Sequence, residues 1–252
     1  MIKRTYLAML KFGTTRRILR GCRSKVLRAC GRSDAYDEVT ALSQKSEADL
    51  FLDIGCHQGE ILQRFIESGL GCKVTAFDPI SSNLDKARDK LSQYPQVAFV
   101  EAAVSDNDGK ATFFVNRNEQ TSSLLENDQG NSRSFPDDTL RLTETEVETL
   151  RLDTWMKSSN HRADRIFIKC DTQGNEARVI RGGMETFRTK VVGFYAEVML
   201  DDMYEGQATI TELRDLLEKD CGLVLSNIYN CLRDTNGRAL QVDMLWIRDS
   251  KK

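Results

Sequence analysis

At 252 residues, 40% hydrophobic and 29% charged, the chain is long enough for one large domain or a domain with an appendage, and its composition excludes fibrous and disordered classes. The net charge of -2 conceals a split: residues 1–32 carry ten Lys or Arg and no acid, while the remainder sets 26 basic against 38 acidic residues, a body near -12 that repels nucleic acid. No run reaches the ~18–20 apolar residues of a membrane span or forms a secretory core, and the seven cysteines lack any C-x-x-C pair, which excludes a disulfide framework and a zinc site and predicts a cytoplasmic protein.

Residues 1–47 read as a basic helical arm. Its apolar residues cluster at Tyr6, Leu7, Met9, Leu10 and Phe12, then at Ile18 and Leu19, then at Val26 and Leu27. Three readings stay open for it: helices packed on the domain, peripheral contact of residues 1–32 with an anionic membrane surface, and a nucleic-acid arm. The acidic body favours no nucleic-acid partner. From residue 48 to 252, apolar runs alternate with helical segments, the mark of parallel strands joined by crossover helices.

Strands are predicted at 49–54, 73–77 and 97–104, with helices at 60–67 and 81–94, the latter capped by Ser82. An insertion follows at about 106–156. Asn107-Asp108-Gly109 reads as a hairpin turn before a strand at 111–115, the polar middle 116–145 reads either as a mobile lid or as a loose surface loop, and 148–152 returns to strand. Two more units place strands at 165–170 and 191–198 and helices at 176–187 and 209–219. A terminal antiparallel pair, 223–228 and 242–247, turns through Asn236-Gly237. The fold class is therefore α/β: a doubly wound, Rossmann-like, mostly parallel seven-stranded sheet ending in an antiparallel hairpin.

Ligands on such sheets bind at the carboxyl ends of the strands, where the order reverses. Asp53-Ile54-Gly55-Cys56-His57-Gln58-Gly59 ends the first strand, with Gly55 and Gly59 letting the backbone approach a ligand. Its spacing differs from the G-x-G-x-x-G of dinucleotide domains. Asp78 ends the second strand, where a carboxylate can accept a ribose diol or cap the next helix. Ala102, Ala103, Val104 and Ser105 supply the small residues of a flat base pocket. Asp53, Gly55, His57, Gly59, Asp78, Ala103, Val104 and Ser105 thus form the candidate nucleoside site.

The other half lies in Lys169-Cys170-Asp171-Thr172-Gln173-Gly174-Asn175-Glu176. Lys169 and Asp171 share a strand face, and Glu197 ends the next strand about 5 Å away if the two are adjacent. Such a carboxylate pair suits a shared proton, a general base with its tuner, or a divalent cation, for which no further ligands are indicated. Alternatively Lys169 or Arg178 neutralises Asp171. His57 is a base or a loop stabiliser, and His161 sits in a polar stretch.

Asp53-x-Gly55-x-x-x-Gly59, Phe77-Asp78-Pro79, Ala103-Val104-Ser105 with Gly109, Thr121-Ser122-Ser123-Leu124, Leu152-Asp153 and Ile168-Lys169-Cys170-Asp171-x-x-Gly174-x-Glu176 with Val179-Ile180-Arg181-Gly182 together resemble the FkbM-type methyltransferases over about residues 48–200. His57 stands where relatives usually have Asn, and Cys170 precedes Asp171 where they commonly have Ile. The resemblance implies a class I methyltransferase fold, S-adenosylmethionine as cofactor, and O-methylation of a hydroxyl acceptor, a small molecule, sugar, glycan or glycolipid. On that expectation Asp171 is the base, Glu197 shares its proton, Lys169 or Glu176 orients the acceptor, and residues 121–124 close over it. Two alternatives stand beside it: an NAD-type oxidoreductase, and an inactive nucleoside-binding scaffold. Nothing in the pattern specifies an oligomeric state.

Overall fold

The apolar run Leu50–Ile54 is buried along its whole length because helices cover both faces of the sheet that contains it. The computed structural model describes residues 34–128, 140–158 and 162–249. The basic segment 1–32 and His161 lie outside the described residues.

The chain runs α1 (Ala35–Lys45), β1 (Leu50–Ile54), α2 (Glu60–Glu67), β2 (Lys73–Asp78), α3 (Ser81–Leu91) and β3 (Val97–Glu101). Next come β4 (Ala103–Ser105), β5 (Gly109–Asn116), a 3-10 turn (Glu119–Thr121), β6 (Arg141–Arg151) and α4 (Leu152–Ser158). It finishes with β7 (Ile166–Cys170), α5 (Glu176–Gly182), α6 (Met184–Thr189), β8 (Val191–Met199), α7 (Ile210–Arg214), a π-helical stretch (Asp215–Asp220), β9 (Leu223–Arg233) and β10 (Ala239–Arg248).

Seven strands form one sheet in the order β3-β2-β1-β7-β8-β10-β9, parallel except for β10, which runs against both neighbours. The order reverses between β1 and β7, so their carboxyl ends frame the crevice expected of a doubly wound sheet. Strand alternation divides the core. Leu50, Leu52, Ile54, Ile168 and Cys170 pack on one face, while Phe51 and Phe167 stack on the other with ring centroids 5.9 Å apart. On that second face α1 docks through buried Val39 and through Tyr36, which meets Phe65 edge-on at 5.3 Å. Residues 34–47, grouped with the arm by sequence, therefore pack on the domain. No helix among the described residues is long and apolar enough to cross a membrane.

Several boundaries differ from the sequence expectation. The third strand does not run through to Val104: its ladder with β2 ends at the Asp78–Glu101 pair, where Pro79 has no N–H to continue it, and β4 joins a second sheet of order β4-β6-β5. Ser82 does not cap α3; the capping position is Ile80, whose backbone N–H donates to Asp78 Oδ1 at 3.0 Å. The helix expected at 176–187 breaks at Gly182-Gly183. A Cβ on Gly182 would lie 1.9 Å from the Ser105 carbonyl oxygen, and one on Gly183 would lie 2.9 Å from Leu152 Cδ2, so close packing demands glycines that helices disfavour.

Candidate active site

Gly55 follows β1 at φ +76°, and a Cβ there would lie 1.9 Å from the Asp171 carbonyl oxygen, so only glycine lets the turn press against the end of β7. The turn continues through His57, also left-handed at φ +48°, to Gly59, which starts α2 and packs on Ala87 and Leu91. The His57 backbone N–H donates to Asp78 Oδ2 at 2.9 Å, tying the first and second strand ends together. These ends open on a cavity of about 590 Å³, within the ~300–1,000 Å³ of small-molecule sites.

One half of the cavity is lined by Gly55, His57, Asp78, Ile80, Ala103 and Val104. Of the two kinds of work expected of Asp78, the structure displays the capping contacts at the start of α3. Its Oδ1 accepts from Ile80 N–H and from Asn83 Nδ2 at 3.3 Å at the start of α3, while the carboxylate stays on the cavity wall. Burial pushes its proton affinity up, and the three hydrogen bonds work against that rise. Asp53, Gly59 and Ser105 are not on the wall. Asp53 is fully buried behind the turn, Gly59 faces α3, and Ser105 is buried on β4.

Lys169 Nζ lies 2.9 Å from Asp53 Oδ1, donates to the Gly55 carbonyl at 2.7 Å, and is 3.9 Å from Asp171 Oδ2. Burial opposes its charge, yet the carboxylates of Asp53 and Asp171 hold it above its ordinary value. Lys169 is thus paired with Asp53 and bonded to the glycine turn, and it also reaches the cavity wall beside Asp171. Glu176 is turned inward. It accepts from the Thr172 N–H and hydroxyl, both at 2.9 Å, and stapling this turn, rather than touching a ligand, is what its geometry provides.

One residue past the Cys170–Ala196 pair, Asp171 and Glu197 stand side by side on adjacent strands, as the sequence predicts for adjacent strand ends. Both line the cavity. Gln173 Nε2 donates to Asp171 Oδ1 and to Glu197 Oε1, each at 2.8 Å, and Gln241 donates to Glu197 Oε2. Burial, and then the neighbouring Asp171 charge, push Glu197 well above the usual carboxylate range. Among the described residues, no group of three or more His, Cys, Asp and Glu side chains is arranged to hold a metal ion.

The described part of the insertion forms a roof. Asn116 and Asn127 exchange amide hydrogen bonds at 2.9 and 3.2 Å, Asn116 Nδ2 donates to the Thr121 carbonyl at 2.7 Å, and the Ser123 hydroxyl donates to the Gln173 carbonyl at 2.8 Å. Within the segment 116–145, expected as a mobile lid or a loose loop, residues 116–128 are tied down by side-chain amides and hydroxyls, and residues 141–145 belong to β6. The His57 ring lies 3.6 Å from Glu119 and 3.8 Å from Glu60, linking the glycine turn to this roof. Sequence reasoning overlooked Gln173, Tyr204, Gln241 and Glu119. The one local signal was a polar residue, Gln173, immediately before Gly174 at a strand end.

The methyltransferase FkbM domain profile matches residues 53–225. A 2-O-methyltransferase, NoeI of Sinorhizobium fredii (strain NBRC 101917 / NGR234), is 29% identical over 190 residues, covering 72% of this chain and 76% of that protein. Among solved structures, the precorrin-6y C5,15-methyltransferase of Geobacter metallireducens GS-15 aligns with a TM-score of 0.45 at 11% identity, covering 86% of this chain and 90% of its own. The N-methyltransferase NodS of Bradyrhizobium japonicum WM9 aligns at 0.46 and 10%, covering 85% and 94%. Because the profile spans the glycine turn, the cavity and both carboxylates, the chain belongs to the FkbM methyltransferase family, S-adenosylmethionine-dependent enzymes of the class I fold.

Proposed function

We propose that this enzyme methylates a hydroxyl oxygen of a sugar-like acceptor, with Asp171 as the general base. The observation that carries the reading is the Asp171–Glu197 pair, held at the cavity wall by Gln173. The residues of the other half suit the cofactor. Gly55 allows close approach, Ala102, Ala103 and Val104 leave room for a flat base, and Asp78 offers a carboxylate to a ribose diol. Asp78, Asp171 and Glu119 also make the wall acidic, which favours a cationic ligand. S-adenosylmethionine, when bound, supplies an electrophilic methyl group.

The protein's own work is to align the acceptor and to receive its proton. Asp171 Oδ1 is engaged by Gln173, so Oδ2 takes the proton from the hydroxyl while Lys169, 3.9 Å away, steadies the charge. Glu197 holds the proton that the pair shares. The roof residues Thr121, Ser122 and Leu124 exclude water. A hydroxyl acceptor is supported by the relative described as a 2-O-methyltransferase, and a sugar-like one by the polar groups of Gln241, Thr121 and Ser122 on the wall.

Methyl-labelled S-adenosylmethionine with a panel of unprotected saccharides and lipid-linked glycans, followed by mass spectrometry of the products, tests the acceptor class. Label on a ring hydroxyl is expected, and label confined to nitrogen or carbon would overturn the reading. On the acceptor so found, Asp171→Asn should lower turnover by about 10²–10⁴-fold. Unchanged turnover would remove Asp171 from the role.

A further inference from the structure

Gln173 is buried and holds φ +55°, a left-handed backbone that a non-glycine residue keeps only where its surroundings impose it. Its side chain accounts for the constraint. The two hydrogens on Nε2 have two takers, Asp171 Oδ1 and Glu197 Oε1, each at 2.8 Å. On the other side, Gln173 Oε1 lies 2.9 Å from the buried Tyr204 hydroxyl, which is also 2.9 Å from the Thr121 carbonyl of the roof. A hydroxyl has one proton, so Tyr204 serves the amide and the roof by turns. With the amide reversed, its oxygen would face two carboxylates, so the carboxylates and Tyr204 together select one orientation.

We propose that Gln173 and Tyr204 are positioning residues for the Asp171–Glu197 pair: the Gln173 amide holds both carboxylates at the cavity wall and stabilises their charge, and the Tyr204 hydroxyl locks that amide and couples it to the roof. The inference rests on the reading of Asp171 as base. The groups facing the pair are Lys169 beside Asp171, Asp53 behind Lys169, Asp243 on β10, Glu176 at the start of α5, and the Tyr204 hydroxyl. Burial and Asp171 drive Glu197 upward, while the hydrogen bond from Gln173 acts in the opposite direction. Removing that donor therefore raises Glu197 further.

Nuclear magnetic resonance of the free enzyme, labelled with ¹³C at side-chain carboxyls and ¹⁵N at glutamine amides, tests this without an acceptor. In the wild type, the Gln173 amide signals should move with the same midpoint as the Glu197 carboxyl. Gln173→Met should raise that midpoint by about one pH unit, and Tyr204→Phe by less, since a hydrogen bond to a charged group is being lost outright or only loosened. Gln173 amide signals indifferent to the titration of Glu197, or midpoints unchanged in a folded variant, would overturn the proposal. Should Gln173→Met fail to fold, the wild-type amide signals and Tyr204→Phe decide it. The turnover of Asp171→Asn reports separately on the base, so either idea can fail while the other stands.

Discussion

Glu176 carries no reacting group in this account, yet it gives the protein a pH signature. Burial pushes its carboxyl up to about 7, against the hydrogen bonds it accepts from Thr172. A carboxyl whose folded value exceeds its unfolded value of 4.5 binds more protons in the folded state between those limits, so its contribution to stability is full below pH 4.5 and is lost as pH rises through about 7. The loss is about 3 kcal/mol at most. Denaturant titrations at pH 4.5 and 7.5 should show this fall, and Glu176→Gln should flatten it; an equal slope in the variant would contradict the assignment. The meeting of Asp78, Asp171 and Glu197 at one cavity was legible because strand-end positions can be counted along a chain. The buried partners of Lys169 and Glu176 were not. Both are ligand-like in type and spacing, but Lys169 pairs with Asp53, 116 residues earlier, and only packing reveals that partner. Gln173 and Tyr204 escaped notice for the same reason, since their bond joins two loops 31 residues apart.

Among the elements, the roof departs most from what a polar segment suggests. Asn116 to Asn127 holds few large apolar residues, yet the reciprocal Asn116–Asn127 amides and the Ser123–Gln173 bond are buried and well formed. Cutting such a network exposes its partners to the full cost of being unsatisfied, about 1–3 kcal/mol each. Asn116→Ala should therefore raise amide hydrogen exchange across residues 119–127 by tenfold or more while leaving β1 and β7 protected. Exchange unchanged in the roof would show that other contacts hold it. The split of the third strand and the break at Gly182-Gly183 share one cause. Each is decided where a second sheet or helix arrives, at β4 and at α4, and a local pattern of apolar residues carries no record of that arrival. The mostly parallel seven-stranded sheet with its antiparallel terminal pair, by contrast, follows from alternating strand and helix units, so its class could be read in advance, although the order of its strands was not.

At the scale of the molecule, the charge is split between an acidic body and the basic segment 1–32, and contact of that segment with a membrane surface is one of the three readings open to it. On that reading, the ten Lys or Arg of segment 1–32 would meet anionic lipid while the body, near -12, stays away from it. At about 1 kcal/mol per basic residue near such a surface, Arg16→Glu, Arg17→Glu and Arg20→Glu together should abolish sedimentation with phosphatidylserine vesicles at low salt. Retained binding would contradict a lipid-facing arm. Within the body, the sheet's reversal between β1 and β7 brings Asp78 and Asp171 to one cavity, and the function we propose gives them separate tasks, one toward the nucleoside and one toward the acceptor. Calorimetric titration of S-adenosylhomocysteine into the wild type, Asp78→Asn and Asp171→Asn tests that division most directly. Asp78→Asn should bind about 10–100-fold more weakly, as expected for losing hydrogen bonds to a charged group, while Asp171→Asn binds as the wild type does. Equal losses in both variants, or full affinity in Asp78→Asn, would contradict it.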